Sequence, residues 1–146
     1  MVSRVDTSSE TAQTSETASQ GLEANKHAVR SLLAALTDRR YGDAAALMTS
    51  DATWWMLSRR KAIPIAIWLK GYESQTEPLF PAGLRLEPSA FTAEADRVAA
   101  QAKGIGTTAA GQEYHNDFHF LFEFEGVLIR AAWEYGDTVH AQQVFG

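Results

Sequence analysis

The stretch from Tyr114 to Tyr135 constrains the fold more than any other part of this chain. Tyr114, Asn116, Phe118, Phe120, Phe122 and Phe124 would share one face of an extended strand, and His115, Asp117, His119, Leu121 and Glu123 the other, because side chains alternate across a strand. One face is aromatic and the other mostly polar. Glu125 and Gly126 then supply a tight turn into Val127 to Tyr135, a second run rich in Val, Ile and aromatic residues. The pattern predicts an antiparallel hairpin lying centrally in a sheet.

Upstream, Asn25 is placed to cap a first helix in which Val29, Leu32, Leu33 and Leu36 recur at helical spacing. That helix is expected to end near Arg39 and Arg40, whose charges suit a helix C-terminus. A short second helix follows over Asp43 to Met48. Thr53 to Leu57 reads as a strand in which the adjacent Trp54 and Trp55 must point to opposite faces, so one tryptophan faces inward. Pro64 suits the start of a third helix, with a stripe of Ile65, Trp68, Leu69 and Tyr72 that ends before Pro78 and Pro81. Leu84 to Ala90 and Arg97 to Gly106 are weaker strand candidates. Helices thus gather in the N-terminal half and strands in the C-terminal half, which favours an α+β fold over a parallel α/β one. The expected architecture is a cone-shaped, curved antiparallel sheet wrapped around three N-terminal helices, with a cavity at the sheet's open end.

With 146 residues and 45% hydrophobic content, the chain suits one domain, expected over residues 25–146. Residues 1–24, rich in Ser, Thr, Glu and Gln, read as a disordered tail and not as a signal peptide. Cysteine is absent, which excludes disulfides and thiolate chemistry. A net charge of -5 without a basic stripe argues against nucleic acid, since Arg59, Arg60 and Lys61 form only a short cluster. No apolar run is long enough to span a membrane, so a cytoplasmic protein is expected.

The chain resembles the SnoaL-like families of the nuclear-transport-factor-2-like superfamily over about residues 25 to 145. The resemblance is carried by Tyr114, Asn116, His119, Phe120, Phe122 and Glu123 in the penultimate strand. At the end it is carried by Trp133, Glu134, Tyr135, Asp137, Thr138, His140 and Ala141. It implies the cone fold, but the superfamily holds ketosteroid isomerases, epoxide hydrolases, polyketide cyclases, dehydratases and non-catalytic members, so it fixes no reaction. The isomerase's tyrosine, base and second acid fall on Leu32, Met56 and Phe118, none of which transfers a proton. The histidine of a dehydratase dyad has no counterpart between His27 and His115. Of the Asp, Arg, Asp set that holds water in limonene epoxide hydrolase, the arginine and its partner acid fall roughly on Asn116 and Phe118, and only the last acid has a counterpart, Glu134.

Glu134 is therefore the principal candidate acid or base. Simple alternation puts Val127, Ile129, Ala131, Trp133 and Tyr135 on the apolar face and leaves Glu134 outward with Arg130. The spacing from Gly126 to Glu134 is one residue longer than the resembled family's, however, and a β-bulge would turn Glu134 inward. In an aromatic cavity its desolvated carboxyl would hold its proton to raised pH. Tyr114 and Asn116 are candidate hydrogen-bond donors to a substrate oxygen, or else buried polar groups that satisfy one another's surroundings. Trp54, Trp55, Trp68, Tyr72, Phe118, Trp133 and His140 are candidate substrate-binding residues, with core packing as the competing reading. His115, Asp117 and His119 share a face, yet the histidine backbones stand about 13 Å apart along a strand, so no metal site is expected.

These observations lead to a cofactor-independent enzyme acting by acid and base catalysis on a small apolar or aromatic molecule. Lyase or dehydratase, isomerase or cyclase, and epoxide hydrolase chemistry all stay open. The alternatives are a ligand-binding protein without catalysis and a dimerisation module. A homodimer through the polar outer sheet face is expected.

Overall fold

The computed structural model describes residues 7–146, with side chains from residue 15 onward. Four helices and six strands follow in the order α1 (Thr7–Thr37), α2 (Tyr41–Ala46), β1 (Met48–Met56), β2 (Lys61–Pro64), α3 (Ile65–Leu79), β3 (Arg85–Glu94), β4 (Arg97–Thr107), β5 (Glu113–Glu125), β6 (Leu128–Gly136) and α4 (Thr138–Phe145). The strands make one curved, unclosed α+β sheet in the order β2-β1-β6-β5-β4-β3. The expected hairpin, β5 with β6, occupies its centre. Glu125 pairs with Leu128 around the two-residue turn Gly126 and Val127, and Gly126 takes a φ of 61°, which a residue without Cβ adopts freely.

Three details depart from the sequence reading. The sheet is not wholly antiparallel, because β1 runs parallel to β6 while every other pair is antiparallel. Asn25 caps nothing. It lies inside α1, which extends upstream to Thr7, and Ser15 to Gly21 are exposed. The Ala, Glu and Gln of that segment are good helix formers with no proline among them, and no described residue before Val29 is buried. The remainder of the expected tail, residues 1–6, lies outside the described residues. Finally, α3 takes Pro78 into its last turn instead of stopping before it. No helix of the described residues is long and apolar enough to cross a membrane.

The core forms where the stripes of α1 and α3 meet the concave face of the sheet. Val29, Leu32, Leu33 and Leu36 from α1, and Ile65, Trp68 and Leu69 from α3, pack with Trp54, Val98, Ala100, Phe120, Phe122 and Ile129. Alanines at 100 and 102 on β4 leave room for a helix to approach the sheet, whereas β5 opposes them with large aromatic rings. Arg39 ends α1 in the left-handed region at φ 58°, and its guanidinium donates to the carbonyl of Phe80 at 2.6 Å, tying the helix end to the chain after α3. Phe80, Leu84 and Tyr114 form a second, smaller cluster, against which Val144 of α4 packs.

One irregularity decides the direction of the candidate acid. Pairing between β5 and β6 passes from Glu123 with Ala131 to Phe124 with Ile129, so Arg130 is an extra, unpaired residue in β6. Ile129 is inward before the bulge, and Ala132 is inward after it. Glu134 stands opposite Phe120, a core residue, and cross-strand partners share a face, so it too points into the fold. Trp133, paired with Leu121, points out. The outward guanidinium of Arg130 makes ion pairs with Glu123 and Asp96.

Deleting Arg130 should remove the bulge and leave Ile129, Ala132 and Glu134 inward in plain alternation, whereas inserting one alanine after Ala132 should force Trp133 inward and Glu134 outward, because a one-residue slip exchanges faces. Urea unfolding is expected to show a loss of about 3 kcal/mol or more for the insertion, from overpacking and displaced core contacts, and a clearly smaller loss for the deletion. Equal losses would mean that the register after the bulge does not set the face.

Candidate active site

On the concave face, Trp54 from the middle of β1 and Glu134 from the end of β6 meet across neighbouring strands. The Trp54 Nε1–H donates to Glu134 Oε1 at 3.1 Å. Trp54 is fully buried. Its indole stacks on Trp68 of α3 with ring centroids 3.8 Å apart and planes 13° apart, and Trp68 in turn stacks on Tyr72 at 5.1 Å. Phe120 and Phe122 meet the indole edge-on at 6.0 and 5.9 Å. These contacts leave Trp54 one orientation, and its single N–H fixes the carboxylate.

A cavity of about 1200 Å³ opens beside this pair. Trp54, Trp68 and Tyr72 make one wall, and Phe118 and Phe120, stacked at 5.3 Å, make another. Phe118 lies against the sheet because its neighbours on β4 and β6 are glycines. A β-carbon at Gly104 would fall 2.7 Å from the ring, and one at Gly136 would fall 2.9 Å from it. Glu134 borders the cavity and is half-buried, with protein enclosing it on its other sides. Burial pushes its carboxyl from the ordinary 4.5 up to about 7, and the bond from Trp54 lowers it only in part. It can therefore both give and take a proton near neutral pH.

Tyr114 and Asn116 are brought together, in a more structural arrangement than that of two free donors. Asn116 Nδ2 donates to the Tyr114 hydroxyl at 2.8 Å and to the Asp137 carbonyl at 3.2 Å, and its Oδ1 accepts from the Asp137 N–H at 2.9 Å. Asn116 thereby joins β5 to the junction of β6 and α4, where Asp137 caps the helix by accepting from the N–H groups of Val139 and His140. The Tyr114 hydroxyl accepts one bond and keeps its proton uncommitted. Tyr72 also borders the cavity, and its buried hydroxyl has no hydrogen-bond partner. Burial raises the proton affinity of both phenols, and the charge of Glu134 adds to it.

Of the ten candidate side chains, seven border this cavity: Glu134, Tyr114, Asn116, Trp54, Trp68, Tyr72 and Phe118. Three do not. Trp55 sits on the convex face against Tyr135, at 5.3 Å, because it follows the inward Trp54 in a strand. Trp133 is turned out by the bulge. His140 stacks on Tyr114 at 5.1 Å, and its Nε2 accepts from the N–H of His115, so it supports a cavity residue without lining the cavity. His115, Asp117 and His119 are exposed, and among the described residues no group of three His, Asp or Glu side chains could hold a metal. The sequence reading missed a second face of α3, Ile67, Gly71, Gln75 and Pro78, and also missed Arg59 and Arg60, all of which line the cavity. The i, i+4, i+8, i+11 spacing of the first set was the available signal.

A family sequence model described as "SnoaL-like domain" matches residues 29–132. No curated protein matches the chain in sequence. Among solved structures, an NTF2-like protein of unknown function from Burkholderia pseudomallei is 18% identical with a TM-score of 0.70, over 84% of this chain and 97% of that one. IdmH, named as a candidate polyketide cyclase from Streptomyces antibioticus, is 14% identical with a TM-score of 0.74, over 82% and 96%. A candidate SnoaL-like polyketide cyclase from a Jannaschia species is 18% identical with a TM-score of 0.73, over 86% and 93%. At these identities the likeness establishes a common fold.

Because folding raises the proton affinity of Glu134, the folded chain binds more protons than the unfolded one between about pH 4.5 and 7. This group therefore makes stability fall as pH rises through that window, by up to about 3 kcal/mol. Urea unfolding from pH 4 to 8 should show Glu134→Gln gaining on the wild type as pH rises, with the two similar near pH 4.5. Parallel curves would show that Glu134 is not held in this way.

Proposed function

Starting from a chain that belongs to the SnoaL-like domain family, we propose that it is an enzyme of cyclase or isomerase type that uses its own side chains for acid and base catalysis on a bulky apolar or aromatic substrate. The observation that carries this reading is Glu134, a carboxyl with a pKa of about 7 on the wall of an aromatic cavity. Groups whose proton affinity is tuned to neutral pH gather at catalytic sites. The cyclase naming of two structural relatives supports the reaction type.

In this reading the flat body of the substrate lies between the Trp68 and Tyr72 wall and Phe118. Ionised Glu134 removes a proton from a carbon next to a carbonyl, and the C–H electron pair moves into the enolate. The hydroxyls of Tyr114 and Tyr72 donate to the enolate oxygen, as oxyanion donors do, and Asn116 is a positioning residue that holds Tyr114. In an isomerase, Glu134 returns the proton to another carbon. In a cyclase, the enolate carbon forms a bond to a second carbonyl carbon of the same molecule, and the resulting alkoxide takes the proton from Glu134.

A ligand carrier without catalysis is the second reading, favoured by the way Asn116 is committed to backbone and to Tyr114. Both reaction types begin with the same proton removal, so one assay separates catalysis from carriage. With 2-tetralone as a flat ketone in D2O, mass spectrometry should detect protein-dependent deuterium uptake that rises through about pH 7. Glu134→Gln should lower the rate about 100-fold or more, and Tyr114→Phe or Tyr72→Phe about 10-fold to 100-fold. Equal uptake by wild type and Glu134→Gln would remove Glu134 from the chemistry.

A further inference from the structure

Two neighbouring cations on the wall of the cavity have no partner among the described residues. Arg59 and Arg60 follow β1 in the turn that leads to β2, and both are exposed and line the cavity. Elsewhere among the described residues arginine is mostly committed. Arg39 donates to Phe80 and Arg40 pairs with Asp38 and Asp43; Arg85 pairs with Glu87, Arg130 pairs with Glu123, and Arg30 lies over the ring of Phe91. The side chains of Arg59 and Arg60 make no hydrogen bond or ion pair there.

The turn that carries them is also fixed with respect to the acid. The N–H groups of Arg59 and Arg60 both bond to the carbonyl of Met56, and the N–H of Leu57 bonds to the carbonyl of Glu134 at 3.0 Å. Arg60 holds the left-handed region at φ 50°, which a side chain of its size rarely adopts and which tends to persist where a site requires it. The other cavity carboxylate, Asp137, is occupied as a helix cap. Arg59 and Arg60 are exposed whereas Glu134 is half-buried, so the cation pair lies nearer to solvent than the acid on the wall of the same cavity.

We propose that Arg59 and Arg60 bind an anionic group at one end of an elongated substrate whose flat apolar body lies in the aromatic cavity. The ligand class is an amphipathic ring system bearing a carboxylate, sulfonate or phosphate. Guanidinium groups suit such oxyanions by bidentate, charge-assisted bonds. They also supply local attraction on a chain whose net charge of -5 would otherwise repel an anion. This inference rests on the cavity being a site for flat aromatic molecules, as proposed above, but not on any reaction taking place there.

The test uses two dyes with the same ring system, 8-anilinonaphthalene-1-sulfonate and the uncharged N-phenyl-1-naphthylamine, read by dye emission and quenching of tryptophan fluorescence. At low salt the sulfonate should bind about 10-fold more tightly than the neutral dye, and the preference should shrink as salt is added. Arg59→Gln with Arg60→Gln should abolish the preference without changing the neutral dye, and charge reversal with Glu at both positions should invert it. Arg97→Gln, which alters an arginine away from the cavity, should have no effect. Equal binding of both dyes by the wild type, or a preference that survives the double substitution, would overturn the anion site while leaving the aromatic cavity standing. Binding of neither dye would overturn both.

Discussion

The hydrogen bond from Trp54 to Glu134 is the contact around which the site is organised. It exists because two constraints meet. The bulge at Arg130 turns the end of β6 inward, and the stack of Trp54, Trp68 and Tyr72 gives the indole N–H one direction. A carboxylate enclosed by rings and given one neutral donor loses more hydration than it recovers. Its proton affinity consequently rises to the range in which proton transfer at neutral pH is efficient. The destabilisation of the ionised form is a cost carried by the rest of the core.

The same scaffold explains why the cavity stays open. The stripes of α1 and α3 fill part of the concave face, and the fold closes elsewhere with Phe80, Leu84, Tyr114 and Val144. Between these clusters Phe118 lies flat across Gly104 and Gly136, so that a residue of core size becomes a wall instead of a plug. Asn116 holds β5 to the start of α4 by two hydrogen bonds and positions the Tyr114 hydroxyl with a third, which fixes this end of the cavity. Rigidity at this junction suits a site whose polar groups must keep their spacing.

The fold was legible because its determinants are local patterns. Alternation in Tyr114 to Phe124, the helical stripes of Leu32 and Trp68, and the turn at Gly126 each follow from one element's own residues. The parallel pairing of β1 with β6 was not legible, since it joins segments about 80 residues apart. Glu134 was partly legible. Its spacing from Gly126 suggested an extra residue, but only the register between strands identifies Arg130 as that residue and turns Trp133 outward. The role of Asn116 as a tie and that of His140 as a support for Tyr114 depend on α4 packing back on β5, which no local pattern announces. Arg59 and Arg60 looked like a short basic cluster in the sequence, and only the cavity's position gives them meaning.

The central claim is that a half-buried carboxyl faces the cavity and exchanges its proton near neutrality. Carbon-13 NMR of the protein labelled at glutamate side-chain carboxyls tests it directly, with Glu134→Gln assigning the resonance. The account predicts one carboxyl titrating at about pH 7 that is missing in the variant. A Glu134 resonance that titrates near the ordinary carboxyl value of 4.5 would contradict it.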